Sequence, residues 1–196
     1  MNKQIYTFLL ILILTISLQS WTKADDIREF EIEGVSIGDS LLDYMQKEEI
    51  IELREKYYKD DTFSSITIFP NEYSFIFSFY DALVLSYKTK DKKFKLKGIS
   101  GIVRYKDNIE ECYPKMKDVI NDLTTVFPMI TPTQIEKSEW ALGSVNFSDF
   151  NFKRNDVVTV SCIKYHKGDH NYTDNLRVAV NTREFVEWLA NKAYVK

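Results

Sequence analysis

Histidine and cysteine are scarce in this sequence, with two of each among 196 residues. His166 and His170 are the only imidazoles available to take a proton from a serine nucleophile near neutral pH. Neither has an aspartate three residues before it, since Ile163 and Lys167 stand there. No glycine-rich phosphate loop, low-complexity stretch or interdomain linker is present. Basic side chains do not exceed acidic ones, 26 against 29. That balance argues against general nucleic-acid binding.

What is present begins with an export signal. Lys3 gives a positive start, and an apolar run from Ile5 to Leu18 follows, broken only by Tyr6, Thr7, Thr15 and Ser17. Thr22 and Ala24 satisfy the small-residue rule for cleavage after Ala24. The run is shorter than the roughly 18 residues of a membrane span, and an uncleaved anchor is the alternative. Residues 1–24 contain no cysteine, which excludes lipid attachment at a new N-terminal Cys. Removing them leaves 172 residues (196 less 24). The leader takes two lysines with it, so 24 basic side chains face 29 acidic ones, a net charge of −5. Residues 25–196 then suit one domain large enough to bury a core. In an exported chain Cys112 and Cys162 read as one disulfide, the alternative being two unpaired core thiols. Such a bridge closes a loop of about 50 residues and stabilises by roughly 3–4 kcal/mol.

Hydrophobic periodicity predicts the elements. Phe30, Ile32, Val35 and Ile37 form a short extended entry ending at Gly38. Asp39 or Ser40 caps a helix or broken pair over 40–56, Ser40 with Asp43 three residues on resembling a capping box. Tyr73, Phe75, Phe77 and Phe79 alternate as a strand. Leu83, Leu85 and Tyr87 form the next, and a turn at Lys90-Asp91-Lys92 leads to a strand ending at Tyr105. Ile109, Cys112, Tyr113, Met116, Val119, Ile120, Leu123 and Phe127 recur at helical spacing. Pro114 makes that helix kink or start late. Residues 128–145 read as a loop, followed by strands 146–153, 156–165 and 175–181. Thr182 caps a last helix bearing Phe185, Trp188 and Leu189. The fold class is therefore α+β: an antiparallel sheet of about five to six strands with helices packed on one face. Helix-then-strands occurs twice, a hint of duplication.

Four features invite functional readings. Gly38-Asp39-Ser40-Leu41 resembles the nucleophile block of GDSL-type serine hydrolases, which would make Ser40 the nucleophile of an ester hydrolase. The histidine placement departs from that family, its Gly-x-Asn-Asp oxyanion block is missing, and helix capping is a sufficient role for Ser40. Cys162, His166 and His170 fall four apart, with Asp169 between the histidines. A turn at Lys167-Gly168-Asp169 would let His166 and His170 face each other, a spacing suited to Zn²⁺ or Cu²⁺. Lysines 88, 90, 92, 93, 95 and 97 crowd one hairpin, and Lys93, Lys95 and Lys97 could meet an anionic surface; a solvated sheet face or a protected edge is the plainer account. Trp140 lies in the proline-bearing loop, as a contact residue or folded over the core. Asn146-Phe147-Ser148 and Asn171-Tyr172-Thr173 are chance glycosylation sequons in a chain of bacterial character.

The segment Ile27-Arg28-Glu29-Phe30-Glu31-Ile32-Glu33-Gly34-Val35-Ser36-Ile37-Gly38-Asp39-Ser40-Leu41-Leu42-Asp43-Tyr44 resembles a group of functionally uncharacterised small exported proteins of AT-rich marine bacteria. Glu111-Cys112-Tyr113 and Thr173-Asp174-Asn175-Leu176 carry the same resemblance. It implies export and one intact domain, and brings no catalytic residue or cofactor. A likeness in element order alone, to small periplasmic modules such as the β-lactamase-inhibitor-like fold, assigns no function. The resulting expectation is a non-enzymatic periplasmic or secreted binding module whose partner is an envelope protein or a small ligand.

Overall fold

The computed structural model describes residues 26–195 except Tyr57, Ser78, Asp107 and 167–171. The predicted leader, the Lys167-Gly168-Asp169 turn, His170 and the sequon at Asn171 lie outside the described residues. Among the described residues no helix is long and apolar enough to cross a membrane.

The chain opens with a 3-10 turn, Ile27–Glu29, and a small hairpin of β1 (Glu31–Ile32) and β2 (Val35–Ser36). A second 3-10 turn, Leu41–Asp43, precedes α1 (Lys47–Glu52). Then come β3 (Phe63–Ile68), β4 (Ala82–Lys88) and β5 (Leu96–Arg104). A 3-10 turn at Ile109–Glu111 leads into α2 (Cys112–Val126). Strands β6 (Glu136–Trp140), β7 (Gly143–Asn151), β8 (Val157–Tyr165) and β9 (Asn175–Asn181) follow, and α3 (Arg183–Asn191) ends the order. Strands β3 to β9 form one sheet of seven, ordered β3-β4-β5-β9-β8-β7-β6, with every pairing antiparallel. The α+β class holds, but the sheet has seven strands where five to six were expected. Two meanders, of three and four strands, meet at β5 and β9, each preceded by a helix.

The helices lie on both faces of the sheet, not on one. Register puts Leu85, Ile99, Val180 and Val158 in one row and Cys162 beside Leu176 and Val103 on the same face. Cys112, the first residue of α2, meets Cys162 there, so α2 covers that face. Gly98 and Ser86 point the opposite way, in line with Ser65. A Cβ on Gly98 would lie 2.6 Å from the Phe185 ring, so α3 covers the other face and needs glycine beneath it. The second face accepts polar residues because their hydroxyls pair: Ser65 with Ser86 at 2.8 Å and Tyr58 with Ser65 at 3.1 Å. That is why β3, rich in serine, gives no apolar alternation to find.

Residues 73–77 are not a strand. Phe75 and Phe77 are buried while Ile76 is 85% exposed, so the alternation is real but pairs with no ladder. Asn71 and Tyr73 have φ of 65° and 55°, which breaks extended backbone. Phe75 instead stacks on Tyr44 with ring centroids 4.8 Å apart. Residues 40–56 form a 3-10 turn and a short helix, the broken pair. Helix α2 starts at Cys112, which places Pro114 in its first turn, where its missing N–H costs nothing.

Helix α3 is held from outside its own segment. Thr182 stands at its N-cap, yet its hydroxyl donates to the Lys97 carbonyl at 3.0 Å. The Arg183 N–H donates instead to buried Asp156 at 2.8 Å. Asp60 accepts from the Thr62 N–H and from the indole N–H of Trp188. Its hydrogen bonds to Thr62, then that to Trp188, pull its carboxyl from 3.8 down to about 2. The folded pKa is depressed, so this contribution is whole above about 3.8 and fades as the pH falls through about 2. The indole N–H resonance of Trp188 is expected to shift over that acid window and to be shifted already at neutral pH in Asp60→Ala. A resonance constant through the window would refute the tie.

Candidate functional site

The strand ends furthest from the β4–β5 loop carry the most chemically varied surface. There β6, β7 and β8 come together with the start of α2. The β6–β7 turn closes tightly on β8: Gly143 faces Tyr165, and a Cβ there would lie 2.1 Å from the Lys164 carbonyl oxygen. The Leu142 carbonyl accepts from the backbone N–H of His166 at 2.9 Å.

A cleft of about 510 Å³ opens at this end, lined by Glu110, Tyr113, Lys137, Glu139, Lys164 and His166 among others. Lys137 and Glu139 project from the same side of β6 and pair at 2.8 Å. The hydrogen bond and charge of Lys137 hold the Glu139 carboxyl below its usual value, and Glu139 raises Lys137 in return. Burial pushes the Tyr113 phenol up, with Glu110 and Asp174 adding to it. Both signs of charge therefore face one cleft beside the phenol of Tyr113. Such a lining can grip polar partners by hydrogen bonds and local ion pairs.

On the opposite face of the same strand ends runs a row of aromatic rings, since Trp140, Gly143 and Tyr165 share one cross-strand row and Glu139, Ser144 and Lys164 the next. Trp140 ends β6 and meets the Tyr165 ring edge-on at 6.0 Å. Tyr165 in turn stacks on Tyr172 at 5.0 Å. Trp140 is 39% and Tyr172 56% exposed. Strand β6 itself is exposed along its whole length, at one end of the sheet order.

The chain matches no known protein family, no curated protein and no solved structure.

The residues singled out by sequence fall in separate places. Ser40 caps the 3-10 turn at Leu41–Asp43, accepting from the Leu42 N–H at 3.2 Å. Its hydroxyl donates to the Lys93 carbonyl at 2.7 Å, which ties the turn to the β4–β5 loop. Ser40 also bridges Lys95, at the start of β5, whereas His166 follows Tyr165 at the end where β5 finishes. The length of β5, about 25 Å, separates the two. Cys112 and Cys162 form a disulfide-capable pair, their sulfurs 2.03 Å and their Cα atoms 6.0 Å apart. His166 lines the cleft, while its proposed partner His170 lies outside the described residues. Among the described residues no cluster of three metal-ligating side chains occurs. Lys93, Lys95 and Lys97 gather around Asp91, which accepts from the N–H groups of Lys93 and Lys95 at 2.9 and 3.0 Å. Partial burial opposes ionisation of Asp91, but those bonds and the Lys97 charge outweigh it and lower its pKa. Lys88 is engaged with Glu184.

Trp140 is not in a loop, as expected from sequence, but on β6. Lys137, Glu139, Tyr113 and Lys164 are site residues that periodicity does not find. With both faces of β6 in water, Glu136-Lys137-Ser138-Glu139-Trp140 has no apolar alternation to mark it as a strand. Its charge alternation was the only available signal.

Proposed function

We propose that the protein is an exported, non-enzymatic binding module of the periplasm or the medium, carrying a Cys112–Cys162 disulfide. Its contact surface is the aromatic row of Trp140, Tyr165 and Tyr172. The observation that carries this reading is the exposure of Trp140 and Tyr172 in one row with half-buried Tyr165. Tryptophan and tyrosine give large, rigid contact area at low entropic cost and dominate the energetics of protein interfaces. Ser40 is accounted for by its cap and its bond to Lys93, which supports a structural role for it over a hydrolytic one.

The test is crosslinking of the tagged protein in its native envelope, followed by mass spectrometry. One recurrent partner is expected with the wild type. Trp140→Ala with Tyr172→Ala should cut its recovery by at least about tenfold, the effect of losing one hot-spot residue, while circular dichroism stays unchanged. Equal recovery from the double variant would remove this surface as the contact.

A further inference from the structure

The outer edge of β6 is built to pair with the same strand of a second copy, and we infer that the protein forms a two-fold dimer through it. Among the described residues no segment pairs with that edge, because β6 closes the sheet order and bonds only to β7. The other end of the sheet is protected: β3 is mostly buried, and the Glu55 N–H reaches the Ser65 carbonyl at 2.9 Å.

The hairpin geometry decides which groups of β6 are on offer. Ala141 and Leu142 join Trp140 to its partner Gly143, and a two-residue turn closes on a hydrogen-bonded pair. Such pairs alternate along an antiparallel ladder. The backbone N–H and C=O groups of Lys137 and Glu139 therefore point away from β7, to the open edge.

Charge then selects the register. Centred on Lys137, an antiparallel self-pair sets Lys137 against Lys137. Centred on Glu139, it opposes two glutamates. Like charges directly opposite are destabilising in a sheet. Centred on Ser138, Lys137 of each copy faces Glu139 of the other, and these are the residues whose backbone groups are free to exchange bonds. Each charge already has a partner along its own strand at 2.8 Å. The second copy adds one across the ladder, so four charges alternate around the axis. An edge meant only to repel other strands would carry one sign. This inference goes beyond the binding surface, which stays available: Trp140 lies on the side of β6 opposite Lys137 and Glu139. The dimer places two aromatic rows on one continuous sheet.

The test is sedimentation equilibrium of the protein expressed from its full-length gene, between about 1 and 300 µM, the range of weak interfaces. Wild type is expected to dimerise with rising concentration. Lys137→Glu and Glu139→Lys should each weaken the dimer by at least about tenfold, since each replaces two attractive pairs by two repulsive ones. Mixed together, the two variants should recover dimer, because positions 137 and 139 are both acidic in one variant and both basic in the other, so each cross-strand pair is attractive. A wild type that stays monomeric overturns the proposal. So does a dimer insensitive to both substitutions, which would place the contact elsewhere.

Discussion

Replacing Cys112 and Cys162 together by alanine is expected to lower the unfolding free energy by about 4 kcal/mol. Alanine is preferable to serine because both positions are buried and a hydroxyl there would be left without a partner. The bridge spans 50 residues of sequence. It joins the first residue of α2 to the middle of β8, so α2, β6 and β7 all lie inside the closed loop. In the chain-entropy account the bond acts on the unfolded chain, which can no longer separate those elements. Urea unfolding followed by circular dichroism gives the difference. The same loss should appear in wild type under dithiothreitol and be absent when the alanine variant is treated likewise. Wild type indifferent to reductant, with a variant equally stable, would show the pair to be thiols.

Phe127→Ala should cost 3 to 5 kcal/mol, roughly the range for a fully buried phenylalanine. Phe127 follows the last turn of α2, where its N–H donates to the Leu123 carbonyl at 2.7 Å. Its ring packs against Phe30 at 5.5 Å, Phe152 at 5.0 Å and Phe150 at 6.2 Å. One side chain thus fastens the N-terminal segment and the end of α2 to β7. Truncation opens a cavity among rings held by two separate stretches of chain, around Phe30 and over 150–152, which cannot both collapse inward. Phe127→Leu keeps most of the volume and should lose much less, about 1.5 kcal/mol or under. Equal losses for both variants would mean that edge-to-face ring geometry matters more than filled space.

Several elements were readable from their own residues. The stripe from Ile109 to Phe127 runs through a 3-10 turn into α2, and Asn108 caps that turn by accepting from the Glu110 N–H at 3.2 Å. The alternation of Val158, Val160 and Cys162 is β8, and that of Leu176, Val178 and Val180 is β9. Ser40 as a cap was legible too, since capping needs only the residue and the amides just after it. The segment with Phe75 and Phe77 misled, because burial of alternate side chains requires a surface beneath them and not a paired neighbour. Strand β6 was missed for the opposite reason: it has a paired neighbour but, with every residue exposed, no buried face.

The amino-acid sequence by itself determined the α+β class, the main amphipathic helix and the cysteine pair as a candidate bridge. Those depend on local periodicity and on residue type, both of which one segment carries alone. Tertiary structure alone decided that the sheet has seven strands, that α2 and α3 cover opposite faces, and that Trp140, Tyr165 and Tyr172 share one surface. It also set Ser40 and His166 at opposite ends of β5. The physical reason is that strand order and register come from pairing between distant segments. Which face a residue presents is then fixed by its neighbours across the ladder, and no local pattern records who those neighbours are.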